Sequence, residues 1–425
     1  MKVSVFPSQI NGLIQAPASK SCMQRACAAA LVRGGITIVY NYGISNDDNA
    51  ALDIIKKLGA TFEIRDGKLI INSNGVFPKE SEIICGESGL SVRMFTSIAA
   101  LSNLSLNITG TGSLLERPMD FFDDVFPQLK VNIKSNQGKL PFQIQGPIVP
   151  QNITIDGSLS SQFLTGLLFA YSASDAKDVS ITVTNLKSKP YVDLTLDILN
   201  KFGMKVPENT NYKSFYFNSD STNIQPEKNE YTVEGDWSGG AFLLVAGAIA
   251  GPIQVKGLDV LSTQADKEIL KALIDCNSKI IITQNEINIG PGKLKSFNFD
   301  ATECPDLFPP LVALAAYCKG NSVIKGISRL THKESNRAIT LKEEFGKLGV
   351  NIELNNDDMV IHGVEKINGA TVHSHHDHRI AMACAITALK AQNEIEIVGA
   401  EAINKSYPNF YEHLELLGVK IKIDK

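Results

Sequence analysis

The lysines and arginines of this chain that could do chemistry stand where helices begin. Lys20, Ser21 and Arg25 follow Pro17 and Ser19 and open an alanine-rich stretch that reads as a helix to Leu31. Ser21 and Arg25, four apart, share a face. A helix start already favours anions through its free N–H groups and dipole, so cations there are misplaced unless a phosphate or carboxylate lies between them. The plainer reading is a pair of solvated cations on a capped helix. The arrangement recurs, however. Gly86 and Gly89 lead into a second helix with Arg93 one turn in. Arg117 is held extended by Pro118. Ser160, Ser161 and Gln162 crowd a third helix start with neutral groups suited to phosphate oxygens or sugar-like hydroxyls, where a cap needs one serine. Ser188 heads a similar start, Ser188-Lys189-Pro190-Tyr191. Asp306 precedes an apolar helix and is the candidate general base, with a helix cap as its plainer role. Lys333, Glu334 and Arg337 precede another helix, and opposite charges so close can tune each other's protonation. Arg379, in Asp377-His378-Arg379, and Lys405 stand before or at two further helices.

These cations sit in a chain whose formal net charge is -4, which argues against a dedicated nucleic-acid binder and makes the clusters more telling. Cations at convergent helix starts make a site for a polyanion. Neither a Gly-x-x-x-x-Gly-Lys-Ser/Thr loop nor a Gly-x-Gly-x-x-Gly after a strand is present, which disfavours nucleoside triphosphates and dinucleotides. His373, His375, His376 and His378 with Asp377 suggest a metal. Ligands this close along the backbone rarely converge on one ion, and no second cluster completes a site, so no metal is expected. The seven cysteines form no C-x-x-C pair. With no signal-like start they read as reduced thiols of a cytoplasmic protein. The most apolar window, 241–253, is broken by Gly247, Gly251 and Pro252 and is too short to span a membrane.

A repeat must position these residues. At 425 residues the chain is too long for one ordinary core, so two or more domains are expected. A helical segment ends in a Leu-Gly-Val-like turn and is followed by two short strands. Residues 54–60 lead into 61–64 and 68–71, 197–203 into 204–206 and 214–217, and 345–350 into 351–354 and 359–362. Residues 414–418 lead into 419–423. Weaker copies run 125–129 into 131–133 and 142–144, and 270–276 into 279–282 and 287–289. With Gly59, Lys130, Gly203, Asn277, Gly349 and Gly418 as equivalent points, the period is about 70 residues, six times over. A left-handed residue commonly closes a helix, which gives these positions a local reason. The class is mixed α/β, with three compact copies per domain.

Ser160-Ser161-Gln162-Phe163, Ser188-Lys189-Pro190-Tyr191, Lys333-Glu334-Ser335 with Arg337, and Asp377-His378-Arg379 together resemble the enolpyruvyl transferase family, in its shikimate branch. The resemblance runs from Ala18-Ser19-Lys20-Ser21 to Lys405. It implies an inside-out α/β barrel fold: two similar domains, each three copies of a βαβαββ unit, closing on substrate. One domain would comprise residues 1–13 and 231–425, with phosphoenolpyruvate-side groups and the catalytic Asp and Glu. The other would comprise 14–230, with shikimate 3-phosphate-side groups. The implied reaction joins phosphoenolpyruvate to the 5-hydroxyl of shikimate 3-phosphate and frees phosphate. By the same resemblance Asp306 takes the hydroxyl proton, and Glu334 and Lys20 handle the proton at the methylene carbon. Lys20, Ser21, Arg25, Ser160, Ser161, Gln162, Ser188, Asp306 and Lys333 would hold shikimate 3-phosphate. Lys20, Gly89, Arg117, Gln162, Arg337, Arg379 and Lys405 would hold phosphoenolpyruvate. No metal or organic cofactor is implied. The partners expected are these small molecules, with no nucleic acid or membrane, and the chain is expected to be a monomer.

Two other functions compete. The family branch that uses UDP-N-acetylglucosamine typically has Lys-Asn where this chain has Lys20-Ser21, and a reactive cysteine in the loop at 114–118, where this chain has none. A non-catalytic anion-binding scaffold would lose the acid–base pair, yet Asp306 and Glu334 are both present. Glu87, Leu90, Thr331 and Asn336 stand where the family often has Asn, Thr, Arg and Asp. The first two flank the phosphoenolpyruvate loop, and Thr331 bears on a contact to shikimate 3-phosphate.

Overall fold

The six helix ends picked out by the repeat all close in the left-handed region. In the computed structural model φ is 119° at Gly59, 63° at Lys130, 64° at Gly203, 67° at Asn277, 85° at Gly349 and 98° at Gly418. A positive φ turns the chain out of the helix and back along it, and glycine adopts it without the cost a Cβ brings. The structure describes residues 1–219, 228–284, 286–331 and 333–424. His332, in the motif leading to Lys333, lies outside them.

Among the described residues the strands form six four-stranded sheets of one topology. In one, Ile153–Asp156 runs parallel to Val179–Thr184, which pairs antiparallel with Ser214–Phe217, which pairs antiparallel with Glu208–Thr210. The parallel pair needs a crossover helix and the antiparallel pair only a turn, so helices and strand pairs alternate along the chain. Burial alternates along the strands, as in Lys139–Gln145, so each sheet has a core face and an outer face. One expected strand is displaced: residues 204–206 are not paired, and the strand is Glu208–Thr210. Pro207 has no N–H to give a ladder, and pairing begins just after it.

The chain divides into two compact units, Lys20–Val233 and a discontinuous one made of Met1–Ser19 and Glu234–Lys425. The first contains α1 (Lys20–Arg33), α2 (Asn46–Lys57), α3 (Gly89–Ala99), the short α4 (Phe121–Val125), α5 (Ser161–Ala173) and α6 (Lys189–Lys201). Helices α1, α3 and α5 pack on one another as the middle of the unit, and every residue of α3 is buried. Gly166 of α5 permits the closest approach: a Cβ there would lie 2.7 Å from Arg93 O and 2.8 Å from Met94 O, so α5 meets α3 backbone to backbone. The intervening α6 is amphipathic, burying Val192, Leu194, Thr195, Ile198 and Leu199. The last strand of the unit, Lys228–Thr232, runs parallel to its first, Gly35–Tyr40.

The discontinuous unit repeats this plan with α7 (Trp237–Ala250), α8 (Ile269–Asp275), α9 (Phe308–Ala316), α10 (Arg337–Lys347), α11 (His378–Ala388) and α12 (Phe410–Leu416). Here α7, α9 and α11 form the buried middle. The N-terminal segment completes two sheets. Gly12–Gln15 runs parallel to Ile253–Lys256, and Lys2–Val5 lies between Ile395–Val398 and Ile421–Asp424. The outgoing and returning chains are tied within this unit. Ala18 and Gly235 form an antiparallel bridge, Ser19 N donates to Glu234 O at 2.8 Å, and Asp236 N donates to Pro17 O at 2.7 Å. No helix among the described residues is long and apolar enough to cross a membrane.

Candidate active site

In the unit Lys20–Val233 the three inner helices begin at Lys20, Gly89 and Ser161, so the fold carries the expected residues at its buried helix starts. Lys20 Nζ lies 2.9 Å from Asp47 Oδ2. Arg25 is buried, and its guanidinium donates to Thr195 Oγ1 at 3.0 Å, Ser21 O at 2.9 Å and Tyr191 O at 3.4 Å. Burial pushes Arg25 down to about 10, which leaves it charged at neutral pH. Ser160 caps α5 by accepting from Gln162 N, and Ser161 follows it, buried. Ser188 enters α6 in the left-handed region, with Pro190 in the first turn. A tighter group surrounds Gly89. A Cβ on Gly89 would lie 2.8 Å from Arg117 Nη1 and 3.3 Å from Arg93 Nη1. Arg93 Nη1 donates to Gln162 Oε1 at 2.9 Å, and its guanidinium lies over the Phe163 ring. Arg117 has the extended backbone that Pro118 requires, and its Nη2 donates to Ser113 Oγ. Arg93, noticed in the sequence but not among the expected ligands, is thus integral to this group.

In the discontinuous unit Asp306, Lys333, Glu334, Arg337, Arg379 and Lys405 come together. Asp306 sits in a single helical turn, Pro305–Leu307, ahead of α9. Its carboxylate is turned to cations rather than to a helix end. Oδ1 accepts from Arg337 Nη1 at 2.7 Å and Lys333 Nζ at 3.2 Å, and Oδ2 from Arg379 Nη2 at 3.1 Å. Burial alone would raise this carboxyl, but Arg379, Lys333 and Arg337 hold it well below the usual carboxylate range. Burial lowers Lys333, its charged form partly restored by Asp306. Glu334 accepts from Arg337 Nη2 at 2.6 Å, and Lys405 Nζ lies 4.0 Å from its other oxygen. Asp306 and Glu334 therefore share Arg337 within a ring of cations.

Two further acids, neither assigned to a substrate or a proton, belong with this ring. Asp377, fully buried, accepts from Arg337 Nε at 2.7 Å and Nη2 at 3.2 Å, from Ser335 Oγ at 3.1 Å, and from Arg379 N as the cap of α11. It joins the start of α10 to that of α11. Its only local signal is its place in Asp377-His378-Arg379, which a helix cap explains equally well. Asp266 is also buried. It accepts from Ser238 Oγ, and its Oδ1 has no hydrogen-bond partner. Burial, and then the Asp306 charge, raise it to about 7. Nothing in the surrounding Gln264-Ala265-Asp266 marks it.

The fold is that of an enolpyruvyl transferase. The structure matches an EPSP synthase from Acinetobacter baumannii with a TM-score of 0.82, over 100% of both chains at 23% identity. It matches the enolpyruvyl transferase NikO from Streptomyces tendae with a TM-score of 0.76, over 99% of this chain and 98% of that one at 15% identity. Likeness at these identities speaks for the fold, and the sequence goes further. The family model for EPSP synthase (3-phosphoshikimate 1-carboxyvinyltransferase) matches residues 6–414. A 3-phosphoshikimate 1-carboxyvinyltransferase from Clostridium kluyveri is 37% identical over 422 residues, 99% of this chain and 98% of the relative. One from Clostridium perfringens is 35% identical over 425 residues, 99% of each chain. The chain belongs to the EPSP synthase family.

Proposed function

We propose that this chain performs its family's enolpyruvyl transfer, from phosphoenolpyruvate to the 5-hydroxyl of shikimate 3-phosphate, with the residues named above. The methylene carbon of phosphoenolpyruvate gains a proton, and Glu334 and Lys20 are assigned to supply it. The shikimate oxygen bonds to the cationic carbon so formed, and Asp306 takes the hydroxyl proton. The bond to the phosphate oxygen breaks, the new methyl group returns a proton, and the double bond is restored. Arg337, Arg379 and Lys405, with Lys20, Gly89, Arg117 and Gln162, are assigned to phosphoenolpyruvate. Ser21, Arg25, Ser160, Ser161, Ser188, Asp306 and Lys333 are assigned to shikimate 3-phosphate, with Lys20 and Gln162 shared. We take the enzyme to be a cytoplasmic monomer.

The observation that carries the assignment is the triple hold on Asp306. A carboxylate so held is a weak base. Incoming phosphate and carboxylate groups draw on the same cations, which weakens their hold and raises its basicity as the substrates arrive. The cations then stabilise the developing charge on the departing phosphate. The test is phosphate release from phosphoenolpyruvate with either acceptor. Release is expected with shikimate 3-phosphate, and release with UDP-N-acetylglucosamine alone would refute the proposal. Asp306→Ala should lower kcat by about 10² to 10⁴-fold. Its affinity for shikimate 3-phosphate should fall far less than its turnover, since the three cations around the position remain.

A further inference from the structure

We propose that the discontinuous unit carries a divalent transition-metal site formed by Glu343, Glu344 and His375, none of which belongs to the ring around Asp306. One ligand atom from each of the three lies within 4.8 Å of the others. Glu343 and Glu344 stand in the second half of α10, whose first residue is Arg337. His375 follows the strand Thr371–His373 and precedes Asp377, the cap of α11. Its Nε2 lies 2.7 Å from Glu344 Oε1. Zinc holds imidazole nitrogen and carboxylate oxygen at about 2.0–2.2 Å, which sets the two ligand atoms about 3.3 Å apart in a tetrahedron. For an ion to enter, the His375–Glu344 pair parts by about half an ångström, while the Glu343 oxygen, within 4.8 Å of both, closes on it.

Neighbouring groups already orient Glu344 and the backbone of His375. Glu344 is buried, and its Oε2 is occupied by Lys347 Nζ at 2.6 Å and by His373 N at 2.9 Å, which leaves Oε1 turned to His375. His373 Nδ1 accepts from His375 N at 2.8 Å and fixes the approach of that residue. Such outer bonds are what align metal ligands. One imidazole and two carboxylates, with water in the fourth position, suit zinc better than the all-oxygen cages of calcium or magnesium. The histidine cluster looked incomplete in the sequence because its completing groups come from α10, upstream in the chain. An ion here would join α10 to the segment entering α11, and both helices begin at the anion-binding ring.

The test uses the full chain without a polyhistidine tag, stripped by chelator and titrated calorimetrically with Zn²⁺, then with Co²⁺ by absorption. The expected result is one equivalent of Zn²⁺ bound, a raised thermal midpoint, and Co²⁺ d–d bands without a thiolate charge-transfer band. His375→Ala and Glu343→Gln should each weaken binding by at least about tenfold. His362→Ala, which breaks the histidine–glutamate pair with Glu353, should leave binding unchanged. If His375→Ala does not fold, the exposed Glu343→Gln decides. Absence of saturable uptake, uptake that survives Glu343→Gln, loss in His362→Ala, or a thiolate band would each overturn the proposal.

Discussion

Arg337 bonds to three carboxylates while only 1% of its side chain is exposed. Removing one member of such a group leaves buried charge without its counter-ion, which typically costs about 3–5 kcal/mol. Arg337→Met should therefore lose stability on that scale in urea unfolding, besides losing activity. Asp266 acts in the opposite sense. Its folded carboxyl lies at about 7, above the ordinary 3.8, so its contribution to stability is full below about pH 4 and is lost as pH rises towards 7. Asp266→Asn cannot ionise there. The variant's urea midpoint should match the parent's near pH 4 and exceed it at pH 8, and a constant difference across that range would count against this account. Asp306 and Arg337 were legible in the sequence because charges at helix starts demand a reason. Asp377 was legible only as part of its motif and of the histidine cluster, and Asp266 not at all, since an acid beside a helix is ordinarily a cap and their partners come from other helices.

At the scale of elements, two glycines on the inner helices of the unit Lys20–Val233 should respond to alanine in different ways. Gly166→Ala would drive a Cβ into the α3 backbone, which cannot move aside as a side chain can. The expected loss is about 1–3 kcal/mol by denaturant unfolding. Gly89→Ala differs, because what it meets is the Arg117 guanidinium. Gly89 opens α3 without a positive φ, so alanine fits its backbone and stability should hold. Displacing the arginine should raise KM for phosphoenolpyruvate by about tenfold, with shikimate 3-phosphate binding little changed. The helix ends at Gly59, Lys130, Gly203, Asn277, Gly349 and Gly418 could be read in advance because closing a helix is local chemistry. The close approach at Gly166 could not, since a glycine within a helix looks like a weak point until its neighbour is known. The misplaced strand at 204–206 has a local cause that the repeat obscured: regular spacing suggested pairing before Pro207, which cannot donate.

At the scale of the whole molecule, the sixfold period was legible and the resemblance grouped residues 1–13 with the C-terminal half, but the strand pairing that closes that unit was not legible. Lys2–Val5 pairs with Ile395–Val398 and Ile421–Asp424 at the far end of the chain, and no spacing rule reports so distant a partner. This strand is central in its sheet whereas Ile421–Asp424 is at the edge. Deleting residues 1–5 should therefore unfold the discontinuous unit, seen as rapid proteolysis of segments after Glu234. Deleting residues 420–425 should have a milder effect. The bridge between Ala18 and Gly235 has a further consequence. Because Ser19 and Glu234 already touch, the chain is built as one module with a second spliced into it through adjoining ends. We expect that residues 20–233, which carry their own closing strand, fold when cut out as a cassette, as do the flanking pieces rejoined through a few glycines. Each product should give the circular dichroism and protease resistance of a folded three-sheet domain, making the two halves separable for engineering at a single seam.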